Sequence, residues 1–253
     1  HALVIPDDGS FVYVGSLATN QLIGLNADTQ RGEVTPLDGP THVMVQMAAS
    51  PTSATVVGTG QVTGQLLFFT REDNGALAPD TSLQVGSQPW HPVYSPDGER
   101  IYVPNKESNT ISVVDAEART VAETIEHPSL TQPHGTALSP DGRYLYVSNN
   151  HRQMDMDMDD MEGNMEEDME DEMEQDNREH EEMDHGDHEG DHEHEENHDH
   201  EAMHDTPSSE ADTADVPSGN NGTISVIDTE TLEVVDVIEV GEYPTGIGTR
   251  VRP

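Results

Sequence analysis

Between residues 151 and 205 the chain holds nine histidines, nine methionines and 26 aspartates or glutamates, opposed only by Arg152 and Arg178. These are metal-ligand types, and they are sorted. Met154, Met156, Met158, Met161, Met165, Met169 and Met173 alternate with carboxylates in the first half of the tract, while His180, His185, His188, His192, His194, His198, His200 and His204 do so in the second. Thioethers select Cu(I), whereas imidazoles suit Cu(II), Zn(II) and Ni(II), so a tract carrying both fits copper in two oxidation states better than it fits zinc alone. In an extended chain His192/His194 and His198/His200 project to the same side and can chelate one ion. The surrounding carboxylates concentrate cations and can accept the second imidazole N–H. An inert acidic tether would need neither sulfur nor imidazole. Copper or zinc ions are therefore the expected ligands, and a metal-accepting protein is a natural partner.

Calcium fits less well. The string DMDMDDMEGNME places Asp160 at the sixth loop position, where a calcium-binding EF-hand requires glycine for its sharp turn. Methionines 161, 165, 169 and 173 are four apart and would share one helical stripe, yet the dense carboxylates would repel along such a helix unless cations neutralised them. Helix formation coupled to metal loading is the resulting expectation.

Composition narrows the remaining choices. Lys+Arg total 10 against 51 Asp+Glu, a formal net charge of −41, which excludes nucleic acid and anionic membrane as electrostatic partners. Lys106 is the sole lysine. Cysteine is absent, so there is no disulfide framework and no thiolate site, and metal chemistry must use His, Met and carboxylate. No run approaches the ~18 apolar residues of a spanning helix, so membrane insertion is not expected. Low hydrophobicity with extreme charge predicts that residues 151–219 are a disordered insertion and return linker in the absence of a ligand. They separate residues 1–150 from residues 220–253.

The tract needs a scaffold, and the flanking sequence supplies a repeated one. PHGTALSPDGRYLYVSNN at 133–150 reads as an apolar run, a Ser-Pro-Asp-Gly turn and a second alternating run, the pattern of a tight β-hairpin. HPVYSPDGERIYVPN at 91–105 repeats it, and VQMAASPTSATVVG at 45–58 and ALVIPDDGSFVYVG at 2–15 are degraded copies. Aligning the turns on Pro6, Pro51, Pro96 and Pro140 gives spacings of 45, 45 and 44 residues, the period of four-stranded β modules. After each hairpin come a third strand, such as NTISVVD at 109–115, a turn, and a fourth strand. Such meanders bury their faces by stacking radially.

SPDGERIYVPNKESNTISVVDAEARTVAETI and SPDGRYLYVSNN joined to NGTISVIDTETLEVVDVIEVGEYPTGI resemble the YVTN family of β-propeller repeats, with an S-P-D-G turn, a Y-V-x-N strand and an S-V-I-D strand. The likeness is weaker in the first two units, where PDDG and SPTS replace the turn and GLNAD and FFTRE replace the third strand. The resemblance implies an all-β propeller of four-stranded antiparallel blades, about four of them in this chain, within a ring of roughly seven. It also implies that the chain is the C-terminal part of a longer protein, with about three blades upstream of His1, and that YPTGIGTRVRP adds one more innermost strand. The insertion interrupts the fourth unit between its second and third strands, at a hairpin tip where a loop grows at small entropic cost.

Counting reversals of direction places the loop between strands two and three on the same face as the segment leading into each innermost strand. His42, His91 and His134, with Trp90 matching His134 and His1 as a further candidate, are expected at those lead-ins, where imidazoles could form a fixed metal site at the channel mouth. Extracytoplasmic metal capture, buffering or delivery, in the periplasm or outside the cell, is the function these features favour. The alternatives are a propeller enzyme or electron-transfer protein, lactonase-like or cofactor-dependent, and a surface scaffold with an inert acidic loop. No Cys-x-x-Cys-His haem attachment and no nucleophile motif is present in the sequence, so no cofactor is expected beyond the metal ions.

Overall fold

The structure, a computed structural model, describes residues 2–150 and 221–249. Residues His1–Gln153 with Thr213–Pro253 form one compact unit; a second, Met154–Asp212, lies outside the described residues. In the first unit four antiparallel meanders follow one another. Blade 1 is β1 (Ala2–Val4), β2 (Phe11–Gly15), β3 (Gln21–Asn26) and β4 (Gly32–Pro36). Blade 2 is β5 (Met44–Ala49), β6 (Thr55–Gly60), β7 (Gln65–Arg71) and β8 (Leu77–Gln84). Blade 3 is β9 (Val93–Tyr94), β10 (Arg100–Asn105), β11 (Thr110–Asp115) and β12 (Thr120–Glu126). Blade 4 is β13 (Pro133–Leu138), β14 (Tyr144–Asn149), β15 (Asn221–Asp228) and β16 (Val234–Glu242). Strand order within every sheet is sequential, and each blade packs on the next in the chain.

Local chemistry explains why these segments turn where they do. In blade 3 the Ser95 hydroxyl donates to Asp97 Oδ1 at 2.5 Å and accepts from the Arg100 N–H at 2.9 Å, while Asp97 Oδ1 accepts from the Glu99 N–H. Ser139, Asp141, Arg143 and Tyr144 repeat this bond for bond in blade 4. Gly98 and Gly142 supply the positive φ that closes the turn. At the other end of β11 and β15, Asp115 and Asp228 cap the following turn by accepting two backbone N–H groups each. Asn26 does the same in blade 1, so GLNAD is a true third strand and turn despite its altered letters.

The first repeat corrects the proline alignment. Its turn bond runs from the Gly9 N–H to the Pro6 carbonyl, as Gly98 bonds Ser95 and Gly142 bonds Ser139. Pro6 therefore occupies the place of the turn serine. Ser50, Ser95 and Ser139 donate their N–H across the hairpin to Thr55, Arg100 and Tyr144, a bond that proline cannot make. With that shift Tyr13 falls on Tyr102, and both are fully buried.

The asparagine of Y-V-x-N ties the second strand to the third. Asn105 Nδ2 donates to the Thr110 and Ser112 hydroxyls at 3.0 and 2.9 Å, and Asn149 Nδ2 to those of Thr223 and Ser225 at 3.1 and 2.8 Å. Ser225 also bonds Ser129 at 2.7 Å, which anchors the lead-in to β13. In blade 2 the same position is Gly60. Asn149→Ala removes these two buried bonds and a longer one to the Val147 carbonyl, but also an amide oxygen with no hydrogen-bond partner, so the expected net loss is about 2 kcal/mol. Thermal unfolding should register it as a drop of about 5 °C; an unchanged midpoint would show that the clamp is dispensable.

Inner blades bury both faces, which is why β6, β7, β10 and β11 read as continuous apolar runs. Val56, Leu67 and Phe69 join Tyr13 and Leu22 in the seam between blades 1 and 2. Their neighbours Val57, Leu66 and Phe68 meet Ile101, Val103 and Val114 across the next seam, and Tyr102, Ile111 and Val113 meet Leu145, Val147 and Ile227 across the third. Arginine closes each seam on the turn side, through Arg71–Asp8 at 2.8 Å, Arg119–Asp80 at 2.6 Å and the bond from Arg100 to the Thr229 carbonyl at 2.8 Å. The far face of blade 1 is different. Leu3, Val14, Ile23 and Val34 lie in one cross-strand row, with Leu3 51% and Val34 56% exposed.

Candidate functional site

Each lead-in segment is built alike. A residue with positive φ precedes the innermost strand: Val43, Gln88 and Gln132. Its carbonyl accepts the N–H of the residue that follows the second strand, which is Gln61, Lys106 and Asn150 in turn. The loop between strands two and three thus rests directly on the lead-in, and in blade 4 that loop is where residues 151–220 are inserted. β14 and β15 pair in unbroken register from Tyr144↔Asp228 to Asn149↔Thr223, so the blade closes normally beneath the insertion.

Two residues beyond the positive-φ position stand Val45, Trp90 and His134. Trp90 and His134 are equivalent, as the repeat spacing predicts, and the structure brings them together from adjacent blades with ring centroids 4.0 Å apart. His91 joins them, 4.8 Å from His134 and edge-on to it. The backbones are joined as well: the His91 N–H donates to the His134 carbonyl at 3.3 Å, and the Thr136 hydroxyl donates to the His91 carbonyl at 2.5 Å. Lys106 Nζ lies 5.1 Å from the Trp90 ring centroid.

His134 is 6% exposed, and its Nδ1 is buried with no hydrogen-bond partner. Burial first, then the nearby His91 and Lys106, push its pKa down to about 4, against an opposing backbone hydrogen bond to Thr245. Burial also lowers the pKa of half-buried His91. At neutral pH the pair therefore presents uncharged imidazoles.

His42 does not join them. It precedes the positive-φ residue Val43, so its counterparts are Ser87 and Thr131 rather than His91 and His134. Its Nδ1 pairs with the Thr63 hydroxyl at 2.9 Å, and burial lowers its pKa against a backbone bond to Asp38. Among the described residues no group of three or more His, Cys, Asp or Glu is placed to hold a metal ion. His1 and the candidate ligands from Met154 to His204 lie outside the described residues. His127 accepts at Nδ1 from the Ser129 N–H and pairs with its hydroxyl, a local loop tie.

Sequence reasoning missed two members of this cluster, the Lys106 ammonium and the Thr245 backbone. The second had a signal. Tyr243-Pro244-Thr245-Gly246 matches Gln132-Pro133-His134-Gly135, and Tyr243 has the same positive φ. The segment runs beside β13, with Gly246 and Ile247 against Gly135 and the Thr249 hydroxyl donating to the Leu138 carbonyl, but among the described residues 243–249 it forms no strand.

Comparison with known proteins agrees with this architecture. The family described as Lactonase, 7-bladed beta-propeller matches residues 41–160. Protein YncE of Salmonella typhi is 30% identical over 114 residues, 44% of this chain and 30% of that protein, and its Salmonella typhimurium counterpart is 29% identical over the same length. The alignment thus spans less than a third of the length of these curated relatives. Hydrazine synthase of Kuenenia stuttgartiensis superposes with a TM-score of 0.62 at 14% identity, covering 95% of this chain and 49% of that one. A functionally unknown protein from Desulfotomaculum acetoxidans gives 0.52 at 19% identity, covering 58% and 47%. Likeness at such identity shows fold alone. No helix among the described residues is long and apolar enough to cross a membrane. Four sequential four-stranded meanders, a shared turn chemistry and these matches make the chain a β-propeller repeat protein.

Proposed function

We propose that the chain is an extracytoplasmic metal-binding propeller whose 151–205 tract captures, buffers or hands on copper, and zinc less readily. The observation that carries this reading is the sorting of nine methionines and nine histidines among 26 carboxylates. Soft thioethers and borderline imidazoles serve the two oxidation states of copper. Thioether in place of thiolate suits an oxidising compartment, where cysteine would be consumed by disulfide formation. Attachment at a closed hairpin suits the same reading, since β14 and β15 stay paired as far as Asn149 and Thr223, where the tract departs.

The test is metal titration of the full chain against a full-length variant with the tract's methionines and histidines replaced by serine. At three to four ligands per ion the eighteen methionines and histidines of the tract should hold roughly four to six ions. Loss of most bound copper in the variant supports the proposal. Near-zero copper uptake by both proteins would leave the tract an inert acidic loop. A second reading, lactone hydrolysis, rests on the family match to residues 41–160; turnover of simple lactones by the metal-free chain would favour it.

A further inference from the structure

The rim holds a smaller site that does not use residues 151–220. We infer that His91 and His134, roofed by Trp90, form a two-imidazole site for a soft monovalent cation, cuprous ion or its analogue silver. The choice of metal rests on the copper reading above; the residues are independent of it.

Three observations converge. The buried Nδ1 of His134 lacks a partner, and an orphaned buried acceptor of this kind is destabilising unless something occupies it. A second imidazole stands 4.8 Å away, ring to ring. His91 is only half-buried, so its side chain has room to turn towards a shared ion while the backbone bond to His134 keeps the two roots together.

Geometry also selects among metals. Zinc takes four ligands and cupric ion a tetragonal set, and no third His, Cys, Asp or Glu converges here among the described residues. A d¹⁰ monovalent ion is content with two nitrogen donors. Lys106 sharpens this choice, because an ammonium near Trp90 repels a divalent ion twice as strongly as a monovalent one. Trp90 adds an indole face over His134 that favours a desolvated cation.

Trp90 is the only tryptophan in the chain, so its emission reports on this site directly. The full-length variant with a serine-substituted tract removes the background of bulk binding. Titrated with silver ion, or with cuprous ion under anoxia, it should lose most of its tryptophan emission and saturate at one equivalent, while zinc leaves the emission unchanged. His91→Ala and His134→Asn should each abolish the quench with far-UV circular dichroism preserved. Flat emission, or a quench that survives in His91→Ala, overturns the site; that variant carries the test should His134→Asn fail to fold. Either result leaves the tract's stoichiometry untouched, and loss of the tract reading leaves this titration to stand alone.

Discussion

Gly24→Ala should destabilise the propeller by about 3 kcal/mol or more and lower its thermal midpoint by about 10 °C. Gly24 lies in β3 on the face packed against blade 2, where an added Cβ would sit 1.9 Å from the Gly75 carbonyl oxygen and 2.9 Å from the Tyr13 ring. No rotamer relieves contact with a backbone oxygen. The carbonyl cannot retreat easily either, because Gly75 holds a turn at φ +90° with the Phe11 ring packed against its α-carbon. The methyl group therefore levers the first two blades apart and loosens Tyr13, Leu22, Met44 and Leu67 together. Gly241→Ala is the control, since an added Cβ there meets nothing within 4 Å. Equal stability of the two variants in denaturant titration would show that the seam yields more readily than its geometry implies.

Acid should weaken the metal-free protein in two separate steps, the first set by histidine. His134 titrates near 4 in the folded chain against an ordinary value of 6.5. Its folded pKa is depressed, so the stability that goes with the neutral ring is complete above pH 6.5 and drains away as pH falls towards 4, where the folded form also takes up the proton. The shift corresponds to at most about 3 kcal/mol, and nearer 2 once solvent screening at the ring's open edge is counted. His91 and His42, lowered by burial, steepen the same step. Asp97, Asp141 and Asp228, lowered by hydrogen bonds within their turns, act only as pH drops below the usual carboxylate value of 3.8. Unfolding free energies measured in chelator from pH 7.5 to 4 should show the loss, and His134→Gln should flatten it. A wild-type profile level between pH 7 and 5 contradicts this account of the buried ring.

How far the letters reveal the fold depends on where the bonds lie. The Ser-Pro-Asp-Gly turn, the Asp115 and Asp228 caps and the Asn149 clamp are side-chain bonds to near neighbours in sequence or across one hairpin, so each leaves a residue type at a fixed spacing. Backbone-only features leave less. The positive φ of Val43, Gln88, Gln132 and Tyr243 falls on valine, glutamine and tyrosine alike, marked only by the proline that follows the last three, and it is this kink that separates His42 from His91 and His134. Pro6 misleads for a related reason, since it keeps the turn while deleting the donor that would have fixed its alignment. The meeting of Trp90 with His134 spans two blades and belongs to packing, which repeat spacing foreshadows only by placing both on one lead-in position.

Among the described residues the blades pack in sequence order, so blades 2 and 3 are held on both faces. Loss of one seam then leaves the others in place, in the manner of a one-dimensional stack. Amide protons of β6, β7, β10 and β11 will then be the last to exchange with deuterium, and those of β4 and β16 among the first.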